Sequence, residues 1–330
     1  MPKWWPFART SNDGAASSKV KHRKCIGGGA FGKVFRIEYN DGTVVAAKEI
    51  SVPNDAAVDE AEIERLFMQY VKGGPNIAYI HDNWSYNDEE RTVTLYMDFY
   101  PGGDLDGVTQ RVRNAGRQII DVGIQIATAL SYCHGRDLLH RDLKPMNVLL
   151  ERAWNPAFEK TVPSLYIADF GLAALFENGT RVSGRKGTPA YMAPEIEREF
   201  TAARFSTKSD IYAVGGILFQ LCTLHDPTSS TCGIQPSRLP SQYSYLLRTL
   251  IAAMLREDRH ERPTAKQVLD ALELIGTPEK LFLKPRKPAR DQSWQQGGLA
   301  RPTFREADGN PKPSDWQWQM CCITLPSHQV

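Results

Sequence analysis

Residues 138–150 read LLHRDLKPMNVLL, and this stretch decides the fold. Five polar side chains, His140, Arg141, Asp142, Lys144 and Asn147, stand between the apolar runs Leu138-Leu139 and Val148-Leu149-Leu150. Short apolar runs at both ends predict strands or strand-like anchors, so the polar middle is a loop held at both sides. Such a loop presents its charges in set positions. Any one of these residues alone reads first as a solvated surface charge, so the meaning comes from the rest of the chain.

Toward the N-terminus, Lys24 to Val34 reads KCIGGGAFGKV and Phe35 to Tyr39 alternates. Asn40-Asp41-Gly42 then supplies a hairpin turn, and Thr43 to Ile50, TVVAAKEI, reads as another strand. Glycines 27, 29 and 32 match G-x-G-x-x-G, a spacing that lets backbone N–H groups approach phosphate oxygens with no Cβ in the way. A dinucleotide-binding fingerprint sets those glycines between a strand and a helix. Here a second strand and a turn follow Val34, which removes that reading. Toward the C-terminus stand Asp169-Phe170-Gly171 and Ala193-Pro194-Glu195.

Glycine loop, V-A-A-K strand, HRDLKPMN, DFG and APE in this order resemble the eukaryotic protein kinase family over about residues 20–283. The resemblance implies an α+β, bilobal fold with a small, mostly β N-terminal lobe and a larger, mostly α C-terminal lobe. It implies ATP and Mg²⁺ as cofactors and roles for particular residues. Asp142 accepts or orients the proton of the substrate hydroxyl, and Lys144 touches the γ-phosphate. Lys48 holds the α- and β-phosphates, while Asn147 and Asp169 hold Mg²⁺. Ile26, Gly27, Gly29, Phe31, Gly32 and Val34 cover the nucleotide. Leu95 to Asp104, LYMDFYPGGD, is the hinge. Met97 stands behind the adenine pocket, the Asp98 carbonyl and Tyr100 amide face the base, Asp104 lies near the ribose, and Ala46 and Leu149 sandwich the ring.

Lys48 requires an acidic partner on the first helix, where DEAEIERLFMQYV (Asp59 to Val71) offers Glu60, Glu62 and Glu64. Glu64 has Phe67, Met68 and Val71 at +3, +4 and +7 on its face, whereas Glu62 has Arg65, Leu66 and Gln69. Glu64 is the expected partner and Glu62 the alternative. Segments 118–134, 208–224 and 243–255 show helical spacing. The resemblance gives two further structural expectations: Asp210 braces the loop around Asp142, and Glu195 pairs with Arg262.

Lys144 after the aspartate and Thr188 in GTPAYMAPE resemble the serine/threonine branch. The departures are Met146, where a small or acidic residue is commoner, and a longer insertion over residues 151–164. Thr180, Ser183 and Thr188 are hydroxyls between Asp169 and Glu195. Thr188 matches the position that bonds the catalytic aspartate and lysine. Ser183, among Arg181, Arg185 and Lys186, is the expected activating phosphosite, with a constitutively ordered loop as the alternative.

The 330 residues carry 40 Lys+Arg against 38 Asp+Glu, a net charge of +2 that gives no electrostatic reason for a nucleic-acid partner. Ile211 to Cys222 is too short to span a bilayer and reads as a buried helix. MPKWWPFART lacks the apolar region of a secretory signal, and six cysteines at no disulfide or zinc spacing predict free thiols in a reducing compartment. A cytoplasmic, or nuclear, location is expected. Residues 1–19 and 284–330 read as disordered tails around a kinase domain at 20–283, divided into N-lobe and hinge (20–100) and C-lobe (101–283). Trp4-Trp5-Pro6-Phe7 and Trp316-Gln317-Trp318 are candidate docking elements for a regulatory partner or for the domain itself, with incidental aromatics of unstructured tails as the alternative, and Cys321-Cys322 is a candidate acylation site. The expected function is transfer of the γ-phosphoryl group of ATP to Ser/Thr hydroxyls of protein substrates. The alternatives are a catalytically inactive ATP-binding scaffold and a kinase acting on small molecules.

Overall fold

The computed structural model describes residues 19–29, 32–110, 116–176, 187–198 and 205–277. Phe31, Thr180, Ser183 and its three basic neighbours, Cys321-Cys322 and both tryptophan clusters lie outside the described residues.

The N-terminal lobe begins with β1 (Val20–Gly29), β2 (Gly32–Tyr39) and β3 (Val44–Ser51). Gly42, at φ +87°, makes the β2–β3 turn, and the Asp41 carboxylate accepts from the Thr43 amide at 2.8 Å. Helix α1 (Asp55–Tyr70) follows, four residues earlier than helical spacing around the glutamates suggests. The cause is Asn54, whose side chain accepts from the Ala57 amide and caps the helix. Strands β4 (Ile80–Asn87) and β5 (Thr92–Asp98) complete an antiparallel sheet in the order β1-β2-β3-β5-β4. Ala46, Val52, Ala61, Val93, Leu95 and Met97 form the core between sheet and helix.

Two of the loop glycines serve the fold differently. Gly32 sits at φ +124°, and a Cβ there would collide with the Glu49 carbonyl oxygen on β3. At Gly29 a Cβ would meet nothing. Gly32→Ala should therefore cost about 1–3 kcal/mol in denaturant unfolding, while Gly29→Ala stays within about 1 kcal/mol of wild type. Equal midpoints for the two variants would contradict this account of the turn.

The C-terminal lobe contains α2 (Asp106–Thr109), α3 (Gly116–His134), β6 (Leu138–Leu139), β7 (Val148–Leu150), β8 (Leu165–Ile167) and β9 (Ala174–Leu175). Then come α4 (Pro194–Glu197), α5 (Thr207–Thr223), α6 (Tyr245–Met254) and α7 (Ala265–Gly276). Strand β6 pairs with β9 and β7 with β8, both antiparallel. Capping boxes at Ser206–Ser209 and Thr264–Gln267 start α5 and α7. Beyond its first turn helix α5 is buried nearly all round, with Val214, Ile217 and Leu218 fully buried, as expected of a helix enclosed by others. Among the described residues no helix is long and apolar enough to cross a membrane. The whole is a β-rich lobe followed by a helical one, the bilobal architecture expected from the motifs.

Candidate active site

The loop that opened the reading runs from β6 to β7, so its two apolar ends are paired strands. Its backbone is held from below by Asp210 in the first turn of α5. One Asp210 oxygen accepts from the Arg141 amide at 2.9 Å, and the other accepts from the His140 amide at 3.0 Å and lies 2.8 Å from His134 Nε2. Burial raises the Asp210 pKa, but the bonds from His134 and the Arg141 amide outweigh it and hold the carboxyl below its usual range. Arg141 takes φ +69° there, a left-handed conformation fixed by this bonding. The His140 ring packs on Phe170, centroids 4.9 Å apart, and its Nε2 lies 3.0 Å from the Ala168 carbonyl, linking the loop to Asp169-Phe170-Gly171.

Above this floor stands Asp142, 4% exposed. Thr188 Oγ1 donates to Asp142 Oδ1 at 2.8 Å, and Lys144 Nζ donates both to Asp142 Oδ2 at 2.7 Å and to Thr188 Oγ1 at 2.9 Å. Asn147 Nδ2 donates to the Asp142 carbonyl at 2.8 Å. The Asp142 carboxylate is thus fixed on two sides by a cation and a hydroxyl.

Strand β3 brings Lys48 to the same cleft. Its Nζ donates to Glu64 Oε1 at 2.6 Å and to Asp169 Oδ1 at 2.8 Å. Glu62 lies one face away and pairs with Arg65. Lys48 is nearly buried, which lowers an ammonium pKa, yet Glu64 and Asp169 more than compensate and raise it. Burial likewise pushes Asp169 up, and Lys48 holds it below its usual value.

The residues expected around the adenine are placed as follows. Ala46 pairs with Met97 across β3 and β5, and Val34 packs against the same core. Leu149 on β7 bridges to Asp104, and Ile26 is exposed at an irregularity in β1. At the hinge the Asp98 carboxylate lies 2.9 Å from His81 Nε2, and one Asp104 oxygen accepts from the Gly107 amide at 2.9 Å. Tyr100 is used by its side chain as well: its hydroxyl accepts from the Tyr79 amide at 3.1 Å and its ring packs on Tyr166. Burial pushes the Tyr100 phenol up to about 12.

Among the described residues no cluster of three or more His, Cys, Asp or Glu side chains is arranged to hold a metal ion. The backbone of Asn147 is joined to the residue before Asp169, its carbonyl accepting from the Ala168 amide at 2.9 Å. With Asn147 Nδ2 committed to Asp142 and Asp169 Oδ1 to Lys48, Asn147 Oδ1 and Asp169 Oδ2 are the oxygens of these two side chains left for a hard cation. Two oxygen donors fit Mg²⁺, which takes one or two protein ligands and completes its shell from phosphates and water.

The sequence pattern of the protein kinase domain matches residues 20–272. The chain belongs to the protein kinase family. It is 30% identical to the serine/threonine-protein kinases Nek4 and Nek1 of Mus musculus, over 75% and 81% of its length, and to the G2-specific protein kinase fin1 of Schizosaccharomyces pombe over 76%. Those alignments cover 31%, 22% and 38% of the three relatives, so the chain spans well under half of their length. Within the kinase domain, Glu195 forms a two-pronged pair with Arg262, at 2.9 and 2.7 Å, and also accepts from Ser209 Oγ at 3.1 Å. The Arg262 side chain is fully buried, so this pair is structural. His134 escaped the sequence reading: a histidine at a helix end carries no local sign that it meets Asp210, 76 residues on.

Proposed function

We propose that this protein kinase transfers the γ-phosphoryl group of ATP to serine and threonine hydroxyls of protein substrates. The observation that carries the reading is the joining of Lys48 to both Glu64 and Asp169 opposite the loop of Asp142. In this reading Lys48 lets go of Asp169 in part to hold the α- and β-phosphates, with Glu64 keeping its ammonium in place. Asn147 and Asp169 hold Mg²⁺, which when bound neutralises charge gathering on the phosphoryl oxygens. Asp142 orients the acceptor hydroxyl and takes its proton, and Lys144 moves between Asp142, Thr188 and the γ-phosphate. Ile26, Gly27, Gly29, Phe31, Gly32, Val34, Ala46, Met97, Asp98, Tyr100, Asp104 and Leu149 enclose the nucleotide. No bond-making to the protein is needed, so catalysis rests on alignment and electrostatic stabilisation.

The domain in this reading is residues 20–283, divided at the hinge, with the tails outside it and cytoplasmic or nuclear protein substrates. Serine/threonine preference follows from Lys144 and Thr188, which together occupy the floor beside Asp142. The test is incubation with labelled ATP, Mg²⁺ and a generic basic protein, followed by phosphoamino-acid analysis. Label on phosphoserine and phosphothreonine is expected. Label on phosphotyrosine would overturn the specificity, and nucleotide binding with no transfer would favour the inactive scaffold.

A further inference from the structure

Strand β1 is exposed along all ten of its residues, so no apolar packing holds it against the lobe. Its register with β2 is irregular between Cys25 and Gly27, and Gly27, Gly28 and Gly29 carry no side chains to steady it. Strand β2 has its own ladder to β3, with Lys33 opposite Glu49. Arg23 carries β1 across to β3 as well. Its guanidinium lies over the Phe35 ring of β2, 3.8 Å from the centroid, and donates to Glu49 Oε1 on β3. A planar guanidinium suits both contacts, stacking with its face and bonding with its edge. Glu49 is also where the hairpin tip meets β3, since a Cβ on Gly32 would collide with the Glu49 carbonyl oxygen.

Consecutive residues of a strand point to opposite faces, so Glu49 lies on the outer face of the sheet while Lys48 faces the ion cluster. The clasp of Arg23, Phe35 and Glu49 is therefore on the side away from the nucleotide face. We propose that Arg23 and Glu49 are positioning residues that hold the glycine hairpin down on β3 and set the rate at which nucleotide enters and leaves. A nucleotide covered by Gly27, Gly29 and Gly32 passes when β1 lifts, and lifting β1 from β3 breaks the clasp. Because the clasp touches the nucleotide in neither state, it slows entry and exit alike and leaves the affinity unchanged. The two side chains are 46% and 29% exposed, so salt screens the pair and ties the rate to ionic strength.

This inference rests on the reading of the glycines as cover for the nucleotide. Its test follows binding and release of a fluorescent ADP by stopped flow with Mg²⁺ at several salt concentrations, and hydrogen exchange in nucleotide-free protein. Arg23→Ala and Glu49→Gln remove the pair, and Arg23→Lys keeps the charge without the planar fork. Lys21→Ala is the control: it removes the same charge from β1, but its partner Glu38 lies on β2, which the ladder already joins to β1. Arg23→Ala and Glu49→Gln should raise the association and dissociation rate constants by the same factor, about 2- to 10-fold, with Kd within about 2-fold of wild type. Exchange should quicken at residues 24–29 and 33–35. Arg23→Lys should fall between, Lys21→Ala should match wild type throughout, and the factor should shrink as salt rises. Unchanged rate constants in Arg23→Ala and Glu49→Gln, an equal change in Lys21→Ala, or a changed Kd with unchanged dissociation would overturn the proposal. A wild type that binds no ADP would overturn the reading of the site, and the exchange rates alone would then decide whether the clasp holds the hairpin.

Discussion

Asp142→Asn is expected to lower kcat on the order of 10³-fold or more while leaving a folded protein. The substitution keeps the shape of the side chain but removes the charge that orients and deprotonates the acceptor hydroxyl, and the ion pair with Lys144 at 2.7 Å. The backbone around it does not depend on that charge, because the His140 and Arg141 amides are held by Asp210 and β6 and β7 by their paired strands. Steady-state kinetics with a melting curve on the same sample check both halves. Retained wild-type turnover would remove Asp142 from the reaction, and a collapsed melting transition would make it a structural residue instead.

The second large effect falls on stability. Asp210→Ala withdraws the acceptor from the buried His140 amide, from the half-buried Arg141 amide and from His134, with nothing of similar shape to replace it. Breaking a buried, bonded charge in this way costs about 3–5 kcal/mol. For a domain of this size that is a fall in Tm of roughly 6–20 °C. Asp210→Asn, which keeps one acceptor oxygen, should cost less. The pH dependence follows from the depressed Asp210 pKa. A carboxyl whose folded value lies below its unfolded one stabilises the fold above the unfolded value, about 3.9, and loses that contribution as pH falls through the folded value. The carboxylate's share of the gap between wild type and Asp210→Ala should therefore be lost as pH falls below about 3.9. A gap unchanged in acid in which Asp210 is protonated would contradict this assignment.

Much of the site was legible because its residues are close in sequence. Asp142, Lys144 and Asn147 lie within one loop, and their mutual bonds span two to five residues. The strand anchors, the glycine hairpin and the buried helix α5 follow from apolar periodicity and turn residues over similarly short distances. The partner of Lys48 was half legible. Helical periodicity of α1 separated the Glu64 face from the Glu62 face, but the choice is made by how α1 sits on β3, which leaves Glu62 to Arg65.

The rest lay beyond any local spacing. Asp169 meets Lys48 across 121 residues, His134 meets Asp210 across 76, and Asn76 meets Gln125 across 49. A side chain's own neighbours in the chain set its backbone preference and its face of a helix or strand, and those are what the sequence by itself determined: the two-lobed order of elements, the loop of Asp142 and the family. Which buried charge receives which donor depends on elements brought together by the collapse of the whole apolar core, because an unpaired polar group there costs more than the pairing constrains. That is why the support beneath Asp142 was decided only by the tertiary structure.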